Sequence, residues 1–355
     1  MQSAAGASRE RSLSGERAPH SHHALYGWGV RAVDDAASAP QLVPPCAVCE
    51  ATRATPRFAV EGVASRLVVC EGCGTGRLHP LPDGDALRAL YPPHYYGDLG
   101  RKFLPPIEFV VRWVGRRHAS FLASGLPRGG RVLDVGCGRG LLLGALADRG
   151  FEAHGFEVSE AAAQGADPRA KIRVAARLEE AGYPDAHFDG AILWHVLEHV
   201  PDPRATLAAV RRLMRPGGRL VVAVPNFASA QARWAGPAWF HLDLPRHLWH
   251  FPLSALLRLL DATGFTVRSE HHFSLRQNPF GWVQSWQNRR PDLPRNGLYT
   301  LLYRRARDEP APFDVRTRRR LLLGFAAAAA PALAATFAEA AARNGATVHV
   351  VATPR

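Results

Sequence analysis

The sequence predicts an α/β protein: a doubly wound, mainly parallel sheet of seven strands, with a small cysteine-bearing module before it and a helical insertion ahead of the last strand. Three observations predict it. From Arg131 onward short apolar runs alternate with helical patterns, as strand–helix units of a parallel sheet require. The first run passes directly into a glycine-rich loop, Gly136-Cys-Gly138-Arg-Gly140. Upstream, two C-x2-C pairs stand twenty residues apart.

The elements follow in order. Residues 1–41 are rich in Ser, Ala, Gly, Arg and His without periodicity and read as a disordered tail. The cysteine module spans 42–80. A helical linker, 81–128, holds a short helix over 83–91 and a longer amphipathic one over 106–124, whose apolar side carries Phe109, Val110, Trp113, Val114 and Phe121. Pro127, Gly129 and Gly130 mark a break. The main domain is 129–273 together with 346–355. Its predicted strands are 131–135, 152–157, 171–175, 189–194, 219–224, 265–272 and 346–352, with helices at 139–149, 159–166 and 204–214. Residues 274–345 form a helical insertion or lid. Within it Leu321–Ala342 is almost wholly apolar and is broken by Pro331. The pieces on either side of that proline are too short to cross a bilayer, so a core helix or lid is the preferred reading. Peripheral contact of 316–342 with an anionic membrane, through Arg316–Arg320, is the other.

The chain has 355 residues and a net charge of +13, and only Lys102 and Lys171 of its 44 basic residues are lysines. Such a charge could attract nucleic acid, a membrane or a phosphorylated substrate and does not choose among them. With 47% hydrophobic and 21% charged residues the composition is that of a globular protein. Residues 1–45 contain no run resembling a signal peptide, which places the chain in a reducing cytoplasm, with the inner membrane face as a peripheral site. Paired cysteines there point to metal rather than disulfides. Two C-x2-C knuckles at this spacing suit one structural zinc ion held by Cys46, Cys49, Cys70 and Cys73. Cys137 lies in the glycine loop, apart from that set.

The loop can approach a ligand closely at a helix N-terminus. A dinucleotide fingerprint needs glycine at its sixth position; here Leu141 stands there. Glu157, nineteen residues after Gly138, ends the second strand, where an acid can accept ribose hydroxyls. Asp134 precedes the loop and could face an ammonium group, or tie down the turn. Together these residues resemble the first motifs of class I S-adenosylmethionine-dependent methyltransferases, which are Rossmann-like. Phe188-Asp-Gly-Ala-Ile-Leu-Trp194-His195-Val-Leu-Glu198-His199-Val-Pro-Asp-Pro203 and Arg215-Pro-Gly-Gly-Arg-Leu-Val-Val222 are similar to that family's next strands and turns. The resemblance implies S-adenosyl-L-methionine as cofactor, bound by Asp134, Gly136, Gly138, Gly140, Glu157, Leu178, Trp194 and His195. The acid that many relatives carry near Ala176 and Arg177 is missing here. Cys70-Glu-Gly-Cys-Gly-Thr-Gly, continuing to Tyr91-Pro-Pro-His-Tyr-Tyr96, resembles the zinc-ribbon module found on bacterial methyltransferases of sugars, glycans and small metabolites.

Methyl transfer requires alignment of an attacking atom, and a hydroxyl nucleophile gains from a histidine base. Pro245-Arg-His247-Leu-Trp-His250-Phe251 resembles a motif bordering the substrate cavity of such enzymes. His247 is the first candidate, then His250, then His195; Glu198 and His199 read as bracing the following turn. No Asn/Asp-Pro-Pro-aromatic motif follows the fourth strand, and no nucleophilic cysteine occupies a suitable place, which disfavours methylation of nucleic-acid bases. The expected activity is methylation of a small-molecule, sugar or lipid-linked acceptor at oxygen. An RNA or protein methyltransferase, and a non-catalytic cofactor-binding protein, are the alternatives. Oligomeric state is not legible.

Overall fold

The computed structural model describes residues 28–34, 39–91, 103–303 and 311–355. The central sheet has seven strands: β6 (Arg131–Val135), β7 (Glu152–Glu157), β8 (Lys171–Val174), β9 (Phe188–Trp194), β10 (Met214–Pro225), β12 (Phe265–His271) and β13 (Thr347–Pro354). Their order is β12-β13-β10-β9-β6-β7-β8. The pairs from β10 to β8 are parallel, and β13 runs antiparallel between β10 and β12.

Alternation along these strands sends side chains into two cores. Leu133, Leu193, Val222 and Val350 face one layer, built with Leu207 and Val210 of helix Pro203–Leu213 and Leu256 and Leu259 of helix Leu253–Ala262. Val132, Ile192, Val221 and Val351 face the other, built with Leu122 of helix Pro105–Ala123 and Leu143 and Leu146 of helix Leu141–Ala147. Both faces are therefore covered, and the central strands β9, β10 and β13 are largely apolar and buried, while the edge strands β8 and β12 are polar and more exposed. Helix 203–213 starts where Asp202 accepts a hydrogen bond from the Ala205 amide and Pro203 occupies the first turn.

The second sheet has six strands: β1 (Val30–Ala32), β2 (Gln41–Leu42), β3 (Arg53–Val60), β4 (Arg66–Cys70), β5 (Gly76–His79) and β11 (Trp249–His250). Two sequence boundaries change here. Residues 30–32 lie inside the stretch read as a tail, yet they pair with Phe58–Val60 in β3; residues 1–27 and 35–38 lie outside the described residues, as do 92–102. The module also does not end at residue 80, because β11, from the main domain, pairs with β5 and completes its sheet.

Two helices differ from their sequence reading. Helix Pro105–Ala123 exposes Phe109, Val110 and Trp113 and buries Glu108, Val111, Val114, Ala119 and Leu122. On the buried face the Glu108 carboxylate is paired with Arg139 at 2.9 Å, beside Val111, Val114 and Leu122. Helix Val315–Ala341 runs unbroken through Pro331, so the proline does not divide the span. It is long and apolar enough to cross a membrane by length and composition. The core-helix reading also fails: only Leu321, Ala332, Thr336 and Glu339 are buried, against helix Gln277–Asn288, while Leu322, Leu323, Phe325, Leu333 and Phe337 are exposed.

Candidate active site

Strand order reverses beside β6, where β7 lies on one side and β9 on the other. Ligands of open α/β sheets bind in the crevice at such a switch point, beyond the C-terminal strand ends. Asp134 is the last but one residue of β6, Glu157 ends β7, and Trp194 ends β9 with His195 following it. The glycine loop closes the crevice floor with φ of +68° at Gly136, +48° at Gly138 and +65° at Gly140. A Cβ at Gly136 would stand 2.6 Å from Val196 Cγ2, so the loop is pressed against the residue following His195. A Cβ at Gly138 would meet nothing within 4 Å, which leaves room for a ligand there.

The two carboxylates behave differently. Glu157 ties the turn, accepting hydrogen bonds from the Gly138 amide at 2.8 Å and the Val158 amide at 2.7 Å. Asp134 is buried and accepts no hydrogen bond among the described residues. Burial, and then the negative charge of Glu157, hold its carboxyl well above the usual range. A cationic ligand would relieve this excess of buried negative charge. The residues therefore fit S-adenosylmethionine: open glycine turn, hydroxyl-accepting Glu157 and a bare Asp134. Leu178 begins a 3-10 turn after β8 and is buried in the core beneath it.

The other wall of the crevice holds groups that the sequence did not connect. His118, from helix 105–123, stacks on Trp194 with ring centroids 3.6 Å apart, and His349 of β13 tilts against the same indole at 4.5 Å. Burial lowers the pKa of His118, His195 and His241, and the charge of Arg276, at the start of helix 277–288, adds to that lowering. Neither His118 nor Arg276 has a sequence signal: one sits on a helix of uneven polarity, the other in a long insertion.

His195 points Nδ1 at Glu198 Oε1, 3.1 Å away, and its buried Nε2 has no partner. Burial holds His195 down to about 3 and raises Glu198 to about 7. His247 lies beside His199, ring centroids 4.5 Å apart, with Nδ1 against the His241 carbonyl oxygen at 2.9 Å. His250 sits in β11 with Nε2 held by the Leu242 carbonyl at 2.9 Å. The bracing role read for Glu198 and His199 is incomplete. The Glu198 carbonyl does accept the Leu248 and Trp249 amides, but both side chains turn into the histidine cluster.

The four module cysteines converge. Sγ atoms of Cys46 and Cys73 are 3.7 Å apart, those of Cys49 and Cys70 3.5 Å. Tetrahedral zinc with Zn–S bonds of about 2.3 Å places its sulfurs roughly 3.8 Å apart. The two knuckles fold alike: Glu50 N donates to Cys46 O and Gly74 N to Cys70 O, each at 2.9 Å, with positive φ at Glu50 and Gly74. A Cβ at Gly72 would press on Cys49 Sγ at 3.0 Å. The donors fit zinc.

Residues 110–270 match the family model described as a methyltransferase domain. Over 105 residues it is 42% identical to the ubiquinone biosynthesis O-methyltransferase of Alkalilimnicola ehrlichii, covering 28% of this chain and 42% of that protein. A second relative of the same description, from Aromatoleum aromaticum, is 36% identical over 143 residues, 38% of this chain and 58% of that protein. The chain thus spans about half the length of the curated relatives it matches. Among solved structures, a methyltransferase from Thermotoga maritima described as a possible histamine N-methyltransferase is 16% identical, with TM-score 0.43 over 70% of this chain and 94% of that one. The matched segment runs from helix 105–123 into β12 and includes the whole glycine loop and the turn from His195 to His199.

Proposed function

We propose that the protein is an S-adenosylmethionine-dependent methyltransferase that methylates an oxygen of a small molecule. One juxtaposition carries the reading: the glycine loop packs against Val196, so His195, with its bare Nε2, stands beside the cofactor-type cradle. The curated relatives named O-methyltransferases support oxygen as the acceptor atom.

When bound, the cofactor supplies a methyl group already activated on a sulfonium. Glu157 would hold the ribose hydroxyls, Asp134 would face the cationic portion, and Trp194 would line the crevice. His195 is neutral through burial, so Nε2 can accept the proton of the acceptor hydroxyl. The Glu198 carboxylate accepts the Nδ1–H bond and fixes that tautomer. Arg276 places a cation among these histidines, which suits an acceptor bearing an anionic group. The four cysteines would hold one structural zinc ion.

The test is calorimetry with S-adenosylmethionine, followed by transfer of labelled methyl to a panel of hydroxylated small molecules. His195→Gln should keep cofactor binding and lose on the order of 100-fold in kcat. Absence of cofactor binding by the wild type, or full activity of His195→Gln, would refute the reading.

A further inference from the structure

A second recess lies outside the cofactor crevice, at the seam between the cysteine module and the main domain. Its more enclosed part is a cavity of about 290 Å³ walled by Phe58 of β3, Val69 of β4, Phe227, Trp239 and Pro252. Arg57 lies over the Phe58 and Phe227 rings, 5.5 Å from each centroid. Its more open part is a groove of about 440 Å³ lined by Arg233, Trp234, Asn288, Arg289 and Arg295. Arg233 and Gly236 line both, so an apolar space and a basic one adjoin.

The second observation is the missing counter-charge. No aspartate or glutamate lines either part, and among the described residues Arg57, Arg233, Arg289 and Arg295 form no ion pair. Three of them are fastened instead to main-chain carbonyls of one segment. Arg233 Nη1 donates to Ala228 O, Arg289 Nη1 to Trp234 O at 2.9 Å, and Arg295 Nη1 to Pro237 O at 2.9 Å. A guanidinium carries five N–H donors in a rigid fork, so one such bond orients the group and leaves donors over. Burial pulls Arg295 down to about 10. Desolvated cations with only neutral partners are costly, and an anion among them relieves that cost.

We propose that this recess binds a soluble aromatic phosphate monoester, its phosphate among Arg233, Arg289 and Arg295 and its ring system in the cavity beside Phe227 and Trp239. Phosphate matches the fork of arginine and carries charge enough to balance more than one of them. A cavity of this size stands at the small end of ligand pockets, which suits one or two rings rather than a lipid chain. The walls lead toward the histidines of the main domain. The Trp239 ring lies 5.6 Å from that of His241, and the Phe227 ring 5.4 Å from that of His250. An occupant therefore bears on the segment that carries both histidines.

The experiment uses the full chain and needs neither methyl donor nor acceptor, so its outcome is separate from that of the methyltransferase assay. Naphthyl phosphate is titrated by calorimetry, with naphthol and inorganic phosphate as its two halves alone. The wild type should bind one equivalent of naphthyl phosphate, at least about tenfold tighter than either half. Arg233 and Arg289 are exposed, so Arg233→Gln with Arg289→Gln should leave the circular dichroism spectrum unchanged while weakening that binding at least about tenfold. Indole N–H NMR signals of the wild type locate the ligand: those of Trp234 and Trp239 should shift first. No saturable equivalent on the wild type, unchanged affinity in the double variant, or a first shift at Trp194 in the cofactor crevice would overturn the site.

Discussion

Gly136 shows how much of the cofactor cradle one residue sets. Its φ of +68° costs an L-residue roughly 1–2 kcal/mol, and its missing Cβ lets the loop lie against the β-branched, stiff Val196. Gly136→Ala should therefore push the loop away from the β9 turn and weaken S-adenosylmethionine binding at least tenfold, about 1.4 kcal/mol. Calorimetry would read this; an unchanged affinity would show that the contact with Val196 does not shape the cradle. The glycine spacing, Glu157 and the C-x2-C pairs were legible because each is a local pattern tied to a backbone conformation or a donor set. The partnership of Glu198 and His199 with His247 was not. No periodicity links residues on either side of helix 203–213 and strand β10, and only packing brings their rings to 4.5 Å.

At the scale of elements, the long helix Val315–Ala341 turns on Pro331. A helix-interior proline lacks an N–H and crowds the carbonyl four residues back, a cost of about 3 kcal/mol. Here Asp314 caps the start by accepting from the Thr317 amide, and the run Ala326–Ala330 together with Ala332 carries strong helix propensity across the break. Pro331 is exposed, so Pro331→Ala removes the cost without disturbing packing. It should stabilise the protein by about 1–3 kcal/mol, seen as a higher Tm by circular dichroism. A lowered or equal Tm would mean that the helix is bent functionally at that point. Sequence reading divided this helix because proline is a breaker in isolation; the outcome depended on summed propensity over 27 residues and on contacts with helix 277–288. The strands of the central sheet were legible to within a residue or two at most ends, because strands buried on both faces leave plain apolar runs. The exception was β10, which begins at Met214 and takes in the Pro216-Gly217-Gly218 segment with a register shift.

Across the whole molecule, the cysteine module and the main domain share one sheet. Strand β5 pairs with β11, Leu78 N donates to Leu248 O at 3.0 Å, and Arg204 reaches the Ala47 and Val48 carbonyls in the first knuckle. The segment carrying His247 and His250 is thus held between the knuckles and the β9 turn. A module this small has little core of its own, so a zinc ion held by its four cysteines would supply much of its folding free energy. Removing zinc by chelation, or Cys46→Ser, should loosen 244–251 at a distance. Hydrogen exchange across that segment should rise while β6 and β7 stay protected. If only the module itself exchanges faster, the bracing role is wrong.

The sequence by itself determined the sheet class, the glycine cradle with Glu157 and the four-cysteine donor set, because each follows from short-range rules: apolar runs alternating with helical patterns, positive φ and knuckle spacing. Only the tertiary structure decided that β11 completes the module's sheet, that helix 105–123 buries Glu108 rather than Phe109, and that Glu198, His199 and His247 meet. Those are contacts between segments distant in sequence. Their partners are chosen by the free energy of burying a charge beside its counter-charge and of pairing exposed strand edges, terms that exist only once the chain has folded.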